Sequence, residues 1–262
     1  MSNPTFLVTN DDGIHVFFLR ALVDALCEHG TVYVAAPKRE QSWVGRGVSR
    51  HREVSVVPYE GFTNAQAWEV DGTPSDAVNI ALGHLLPKKP DVVVSGINVG
   101  FNAMIPVLYS SGTVAGALEG ASWGLSAVAL SMHLLAHDFD KVKEDSVNLP
   151  DNIKTRVKLA ARMGAKFSAG LVGESNDDCM VSNINFPANL KADSPWVATQ
   201  PGKIKIDSFF EKTSSGNYRF RYMERTPYGK QSGLPIDYEV FSEGSISLSL
   251  LNFHNVSQEF RL

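Results

Sequence analysis

Short apolar runs alternate with amphipathic stretches along most of the chain. Residues 5–9, Thr-Phe-Leu-Val-Thr, are apolar or β-branched throughout, as in a strand buried on both faces. In residues 16–29, Phe18, Leu19, Leu22, Val23 and Leu26 fall at helical spacing, and Gly30 closes the segment. Residues 31–36 form a second strand pattern stopped by Pro37. Residues 54–57 and 68–70 make a small hairpin, its first arm ended by Pro58. Thr73-Pro74-Ser75-Asp76 has the chemistry of a helix start, with a Thr N-cap, Pro in the first helical position and an acid in the first turn. It predicts a helix to about residue 86. Further strands are expected at 91–95, 127–131 and 180–187, and helices at 114–123 and 155–166, the last after a polar linker.

This alternation predicts an α/β fold, a mostly parallel, Rossmann-like sheet with helices on both faces. From 196 to 225 the pattern changes to short alternating segments, 203–206 and 218–222, with Gly216-Asn217 as a turn. That is a C-terminal antiparallel β extension with exposed edges, a form that another subunit can pair off. Residues 237–244 read as a helical turn and 245–250 as a last strand. The expected organisation is a metal- and phosphate-binding core over 1–190 and a β-rich arm over 191–262 that returns to the core as part of one structural unit.

Composition narrows the class. The 262 residues are 44% hydrophobic and 20% charged, ordinary for a soluble enzyme, and a net charge of −4 argues against binding a nucleic-acid duplex. Two cysteines, Cys27 and Cys179, make no disulfide framework and fit a reducing compartment. Cys27 falls on the core side of the first helix. The opening residues lack a signal pattern and no apolar run is long enough to span a bilayer, so a cytoplasmic location and no membrane association are expected.

The candidate chemistry lies in four polar turns at or after strand ends. Asn10-Asp11-Asp12-Gly13 follows the first strand, where open α/β sheets bind ligands. Two adjacent carboxylates repel each other, and a hard divalent cation would offset them; a plain polar turn with Asp as N-cap suits the tetrapeptide equally well. The second turn, Gln41 to Gly47, sits in a loop too long to be a simple connection. The third is Gly96-Ile97-Asn98-Val99-Gly100-Phe101-Asn102. The fourth, Ser110-Ser111-Gly112-Thr113, opens a helix, which makes either a phosphate cradle or a simple cap. There is no Gly-x-x-x-x-Gly-Lys-Ser/Thr loop and no Gly-x-Gly-x-x-Gly after the first strand. Trp43 suits either stacking on a base or an interface contact. Arg46 and its basic neighbours suit a phosphate or a solvated loop, and His15 a general acid or a structural role. His133 and His137, four apart without a third ligand, read as part of a polar loop.

Together these stretches resemble the SurE-type (stationary-phase survival protein) nucleotidases over nearly the whole chain. The resemblance rests on Val8 to His15, Gln41-Ser42, Asp71 to Asp76, Val94 to Asn102, Ser111 to Val114 with Glu119-Gly120, and Asn183 to Pro187. Asp237 with Gly244 to Ser247 resembles the family's closing helix and strand. It implies a 5'-nucleotidase that releases phosphate from nucleoside 5'-monophosphates by attack of a metal-activated water, and it leaves activity on 3'-monophosphates open. It places the metal on Asp11, Asp12, Ser42 and Asn98, as one Mg or Mn per subunit. Asp11 and Asp12 are then the catalytic residues, and Asn102, Ser111, Gly112 and Thr113 bind the substrate. It also suggests a homodimer or homotetramer through the C-terminal arm. Four departures stand out: Val16-Phe17-Phe18 for Ala-Pro-Gly, Trp43 for glycine, Ala103 to Pro106 for Leu-Gly-Asp-Asp-like residues, and two serines before Gly112. They motivate an alternative, a nucleotide- or metal-binding homologue with lost or altered turnover.

Overall fold

The computed structural model describes residues 3–205, 207–221, 227–228 and 233–254. The chain begins with β1 (Thr5–Thr9), α1 (Phe17–Cys27), β2 (Thr31–Pro37), β3 (Val56–Pro58) and β4 (Ala65–Val70). Next come α2 (Pro74–Ile80), extended by a π turn (Ala81–Leu85), then β5 (Val92–Val99), α3 (Ile105–Ser110) and α4 (Gly112–Ser122). β6 (Ser126–Met132), α5 (Ala136–Glu144), α6 (Asp151–Ala169) and β7 (Met180–Phe186) complete the alternating part. The remainder is β8 (Trp196–Ala198), β9 (Phe210–Lys212), β10 (Tyr218–Phe220), α7 (Asp237–Ser242) and β11 (Ile246–Asn252).

Nine strands form one sheet in the order β3-β4-β2-β1-β5-β6-β7-β11-β8. The six strands from β4 to β7 run parallel, while β3 and β11 are antiparallel to their neighbours β4 and β7. The central strands are buried on both faces, which is why they read as unbroken apolar runs. Phe6 and Val8 of β1 pack with Phe18, Leu19 and Leu22 of α1 and with Ile153 and Val157 of α6. Leu7, on the opposite face, packs with Ala77 and Val78 of α2. α4 covers the same side further along, over Ala127 and Ala129 of β6.

At their carboxyl ends the buried strands turn polar: Thr9 and Asn10 after β1, Ser95 in β5, Ser131 in β6, Asn183 and Asn185 in β7. These groups form one rim, and the rim is where the core gives way to chemistry. α2 has the capping box its sequence promised, with Thr73 Oγ1 accepting from Asp76 N and Asp76 Oδ2 accepting from Thr73 N.

The structure corrects several expectations. The 96–102 segment is not a free turn: β5 continues to Val99, with a register shift between Ser95 and Asn98 that sets Asn98 opposite Ser131. The hairpin arm at 68–70 belongs to a longer β4 that also pairs in parallel with β2. The polar linker before α6 contains α5, and the stretch before Ser111 contains α3. Of 203–206, Lys203 makes only an isolated bridge to Tyr228, and Ile206 lies outside the described residues, as do residues 222–225 of the expected extension. β8 and β11 join the main sheet, while β9 and β10 form a separate antiparallel pair. No helix among the described residues is long and apolar enough to cross a membrane.

Candidate active site

A cavity of about 830 Å³ opens at the polar rim. Asp11, Asp12, Ser42, Asn98, Asn102 and Ser111 all line it, so six of the eight expected site residues share one space despite arriving from four separate stretches. Asp11 is buried and Asp12 half-buried. Asn10 makes the tight turn that presents them, its Nδ2 donating to Gly13 O at 2.9 Å. Gly13 has φ +106°, a region L side chains avoid.

Each carboxylate is held by a group remote in sequence. Thr113 Oγ1 donates to Asp11 Oδ1 at 2.6 Å, and Val99 N donates to Asp12 Oδ2 at 2.9 Å. Burial pushes both carboxyls above the usual carboxylate range; the charge of Asp11 adds to the push on Asp12, and Glu40 pushes both the same way. The hydrogen bonds from Thr113 and Val99 pull back without cancelling the desolvation.

Gly112 and Thr113 do not line the cavity. Thr113 is fully buried behind Asp11, and a Cβ on Gly112 would lie 2.7 Å from Asp11 Cβ and 3.1 Å from Gln41 O. Three chain segments meet at Gly112 too closely for any side chain. Ser111 is the N-cap of α4, accepting from Val114 N at 3.0 Å, whereas Ser110 Oγ donates back to Pro106 O. Both serines line the cavity.

Asn102 is fixed from three sides. Its Nδ2 donates to Ser131 Oγ, its backbone N donates to Asn185 Oδ1, and its carbonyl accepts from Asn183 Nδ2 and Asn185 Nδ2. The loop carrying Ser42 is tied at both ends of its turn, by Gln41 N donating to Asp11 O at 2.7 Å and Gly45 N to Ser110 O at 2.9 Å. Arg46, a possible phosphate contact by sequence, instead pairs at 2.7 Å with buried Glu119, which also accepts from Asn79. That pair pins the loop to α4. His15 lies away from the cavity against Tyr59 and Glu69. His133 lines the cavity after β6, while His137, on α5, pairs with Asp138.

Several lining residues escaped the sequence reading. Glu40 Oε1 accepts from Ser42 Oγ at 2.6 Å and from Lys143 Nζ at 2.8 Å, which links the loop to α5. Phe101, Phe139, Lys143 and Phe220 also line the cavity. Nothing local marks Lys143 or Phe139, because their helix buries only Asp138 and Val142 and shows too short an apolar stripe to detect.

The match to known proteins follows this geometry. The family model for survival protein SurE matches residues 6–207, which span all of these segments up to the start of the C-terminal hairpin. The chain belongs to the SurE family. It is 43% identical over 260 residues to a protein of Desulfovibrio desulfuricans named 5'-nucleotidase SurE, covering 97% of this chain and 94% of that relative. It is 31% identical to a protein of the same name from Picosynechococcus, covering 94% of this chain and 90% of that one. Among solved structures, the SurE protein from Aquifex aeolicus superposes with a TM-score of 0.67 at 28% identity, over 97% of this chain and 95% of that one. In this SurE-family chain the position after Ser42 has φ +63°, which explains why the resemblance called for glycine there; Trp43 occupies it instead.

Proposed function

We propose that this SurE-family chain is a 5'-nucleotidase that hydrolyses nucleoside 5'-monophosphates, and 3'-monophosphates as second substrates, in the cavity floored by Asp11 and Asp12. The observation that carries the reading is the pair itself: two adjacent, repelling carboxylates drawn out of water at the carboxyl end of a central strand, facing a space large enough for a nucleotide. The names of the relatives, 5'-nucleotidase SurE, support the same reaction.

The donor chemistry fits one divalent cation, with Mg or Mn the best match to an all-oxygen set. Asp11, Asp12, Ser42 and Asn98 would hold it. Among the described residues no group of three or more His, Cys, Asp or Glu is placed to do so instead. When bound, such a cation supplies Lewis acidity toward phosphate and lowers the pKa of water. The chain's own part is positioning. Thr113 and Val99 fix the two carboxylates, and the network of Asn183, Asn185 and Ser131 fixes Asn102 beside them. Ser110, Ser111 and Asn102 line the same cavity and would hold phosphate oxygens. Gly112 and Thr113 act at one remove, through Asp11.

The test is phosphate release from a panel of 5'- and 3'-monophosphates with Mg²⁺, Mn²⁺ or EDTA. Turnover removed by EDTA and restored by metal is expected; metal-independent turnover would refute the assignment of the carboxylate pair. The raised carboxyl pKa values add a pH signature. Protons compete with the cation for the pair, so apparent metal affinity should fall on acidification, by roughly ten-fold per pH unit for each proton displaced. Calorimetric titrations in buffers of different ionisation enthalpy would register that proton release.

The C-terminal hairpin supports self-association. Phe210 and Tyr218 are 56% and 67% exposed on β9 and β10, a costly display of apolar surface for a free arm. Light scattering is expected to give a dimer or tetramer that Phe210→Ser with Tyr218→Ser weakens; a monomeric parent protein would reject this.

A further inference from the structure

The cavity carries more aromatic surface than phosphate hydrolysis requires. Trp43 and Phe220 both line it, both are about two-fifths exposed, and their ring centroids lie 5.1 Å apart. Phe209 backs the pair, 5.3 Å from Trp43 and 6.0 Å from Phe220. Phe101 and Phe139 add further rings to the lining. Trp43 holds this place at φ +63°, where a bulky side chain is unfavourable and glycine is at ease. Strain kept in a cavity wall, at a part-exposed ring that lines it beside part-exposed Phe220, points to a ligand that contacts them.

We infer that Trp43 and Phe220 form a platform that stacks against the base of a nucleoside monophosphate and selects nucleotides over phosphate esters that lack a base. The inference rests on reading the cavity as a nucleotide site and deepens it. The polar lining residues, Asp11, Asp12, Asn98 and Ser111 among them, suit a phosphate, and the aromatic ones suit a flat, weakly polar ring system. Every base offers such a face, so the platform sets a preference for nucleotides as a class, strongest for purines, whose two rings cover more of it. The same rings also clamp the hairpin to the loop, and a test must separate stacking from clamping.

Trp43→Leu keeps apolar bulk against Phe209 and Phe220 but removes the stacking face, Trp43→Phe keeps the face, and Trp43→Gly removes both while suiting the backbone. Stacking predicts that the ratio of kcat/KM for adenosine 5'-monophosphate to that for ribose 5-phosphate falls about ten-fold in the Gly and Leu variants and stays within about three-fold of the parent in the Phe variant. The Kd of adenosine, read by calorimetry, should rise in parallel. Equal losses on both substrates, a Leu variant that behaves like the parent, or an unchanged adenosine Kd would overturn the inference. Should the parent protein release no phosphate from any substrate, the hydrolytic reading fails, and the adenosine Kd across the variants still decides the platform.

Discussion

Replacing Asp11 or Asp12 by asparagine is expected to lower metal-dependent phosphate release by about a thousand-fold or more, with no loss of melting temperature. The kinetic part follows from charge. A divalent cation at this site contributes several kcal/mol to stabilising the transition state, and roughly 4 kcal/mol is close to a thousand-fold in rate. Asp11 and Asp12 are held in place by Thr113 and Val99, whereas Glu40 is already engaged by Ser42 and Lys143. Halving the anionic charge therefore removes most of what would hold the cation. The stability part runs the other way. Burial raises both carboxyls and the charge of Asp11 raises Asp12 further, so in the absence of metal the folded state is strained by ionising them. An amide of the same shape relieves that repulsion. The pairing of results is the discriminating feature: activity lost together with a fall of many degrees in Tm would mean that the aspartates are structural, and retained activity would remove them from the site.

A second large effect is expected far from the carboxylates. Asp237, at the first residue of α7, is fully buried and accepts three backbone hydrogen bonds, from Met104 N at 3.0 Å, Gly202 N at 3.1 Å and Tyr238 N at 2.8 Å. Its carboxyl is pushed up to about 6 by burial, against the pull of those donors. Asp237→Ala would leave two buried N–H groups and one half-buried N–H group without an acceptor. At about 1–3 kcal/mol each, partly relieved by water, the loss should be about 4 kcal/mol. For a chain of this size that is a fall in Tm of roughly 10 °C. The damage would also reach the cavity. Met104 begins α3, and Val107 and Ser110 of that helix line the cavity wall. Scanning calorimetry and a nucleotide KM on the same sample would check both. A Tm within about 2 °C of the parent would show that the three donors find other partners.

Much of this architecture was legible beforehand, for identifiable reasons. β1, β5 and β6 are buried on both faces, so their sequences are apolar without interruption. α2 declared itself through Thr73-Pro74-Ser75-Asp76, a local motif whose hydrogen bonds close within four residues. α3 and α5 were not legible. α3 is six residues long with Pro106 in its first turn and enters from Met104 at φ +66°. α5 buries two side chains out of nine. The alternation at 203–206 misled because Ile204 is buried against Met104 and Phe241 rather than paired in a sheet. Periodicity reports that a side chain is covered, and it is silent on what covers it.

The sequence by itself determined the α/β class, the positions of the central strands and the polar residues at their carboxyl ends, because each depends on burial pattern or on contacts within a few residues. It also supplied the resemblance on which the membership in the SurE family was first argued. Only the tertiary structure decided what those residues do for one another. Thr113 lies 102 positions from Asp11, and its hydroxyl donates to that carboxylate. Arg46 was read as a possible anion contact and instead neutralises buried Glu119. Glu40, Lys143 and Phe220 joined the cavity without any local signal. The physical reason is common to all of them. A polar side chain's role is set by the group across from it, and in a parallel sheet that group comes from a distant crossover, whose placement depends on packing of the whole core.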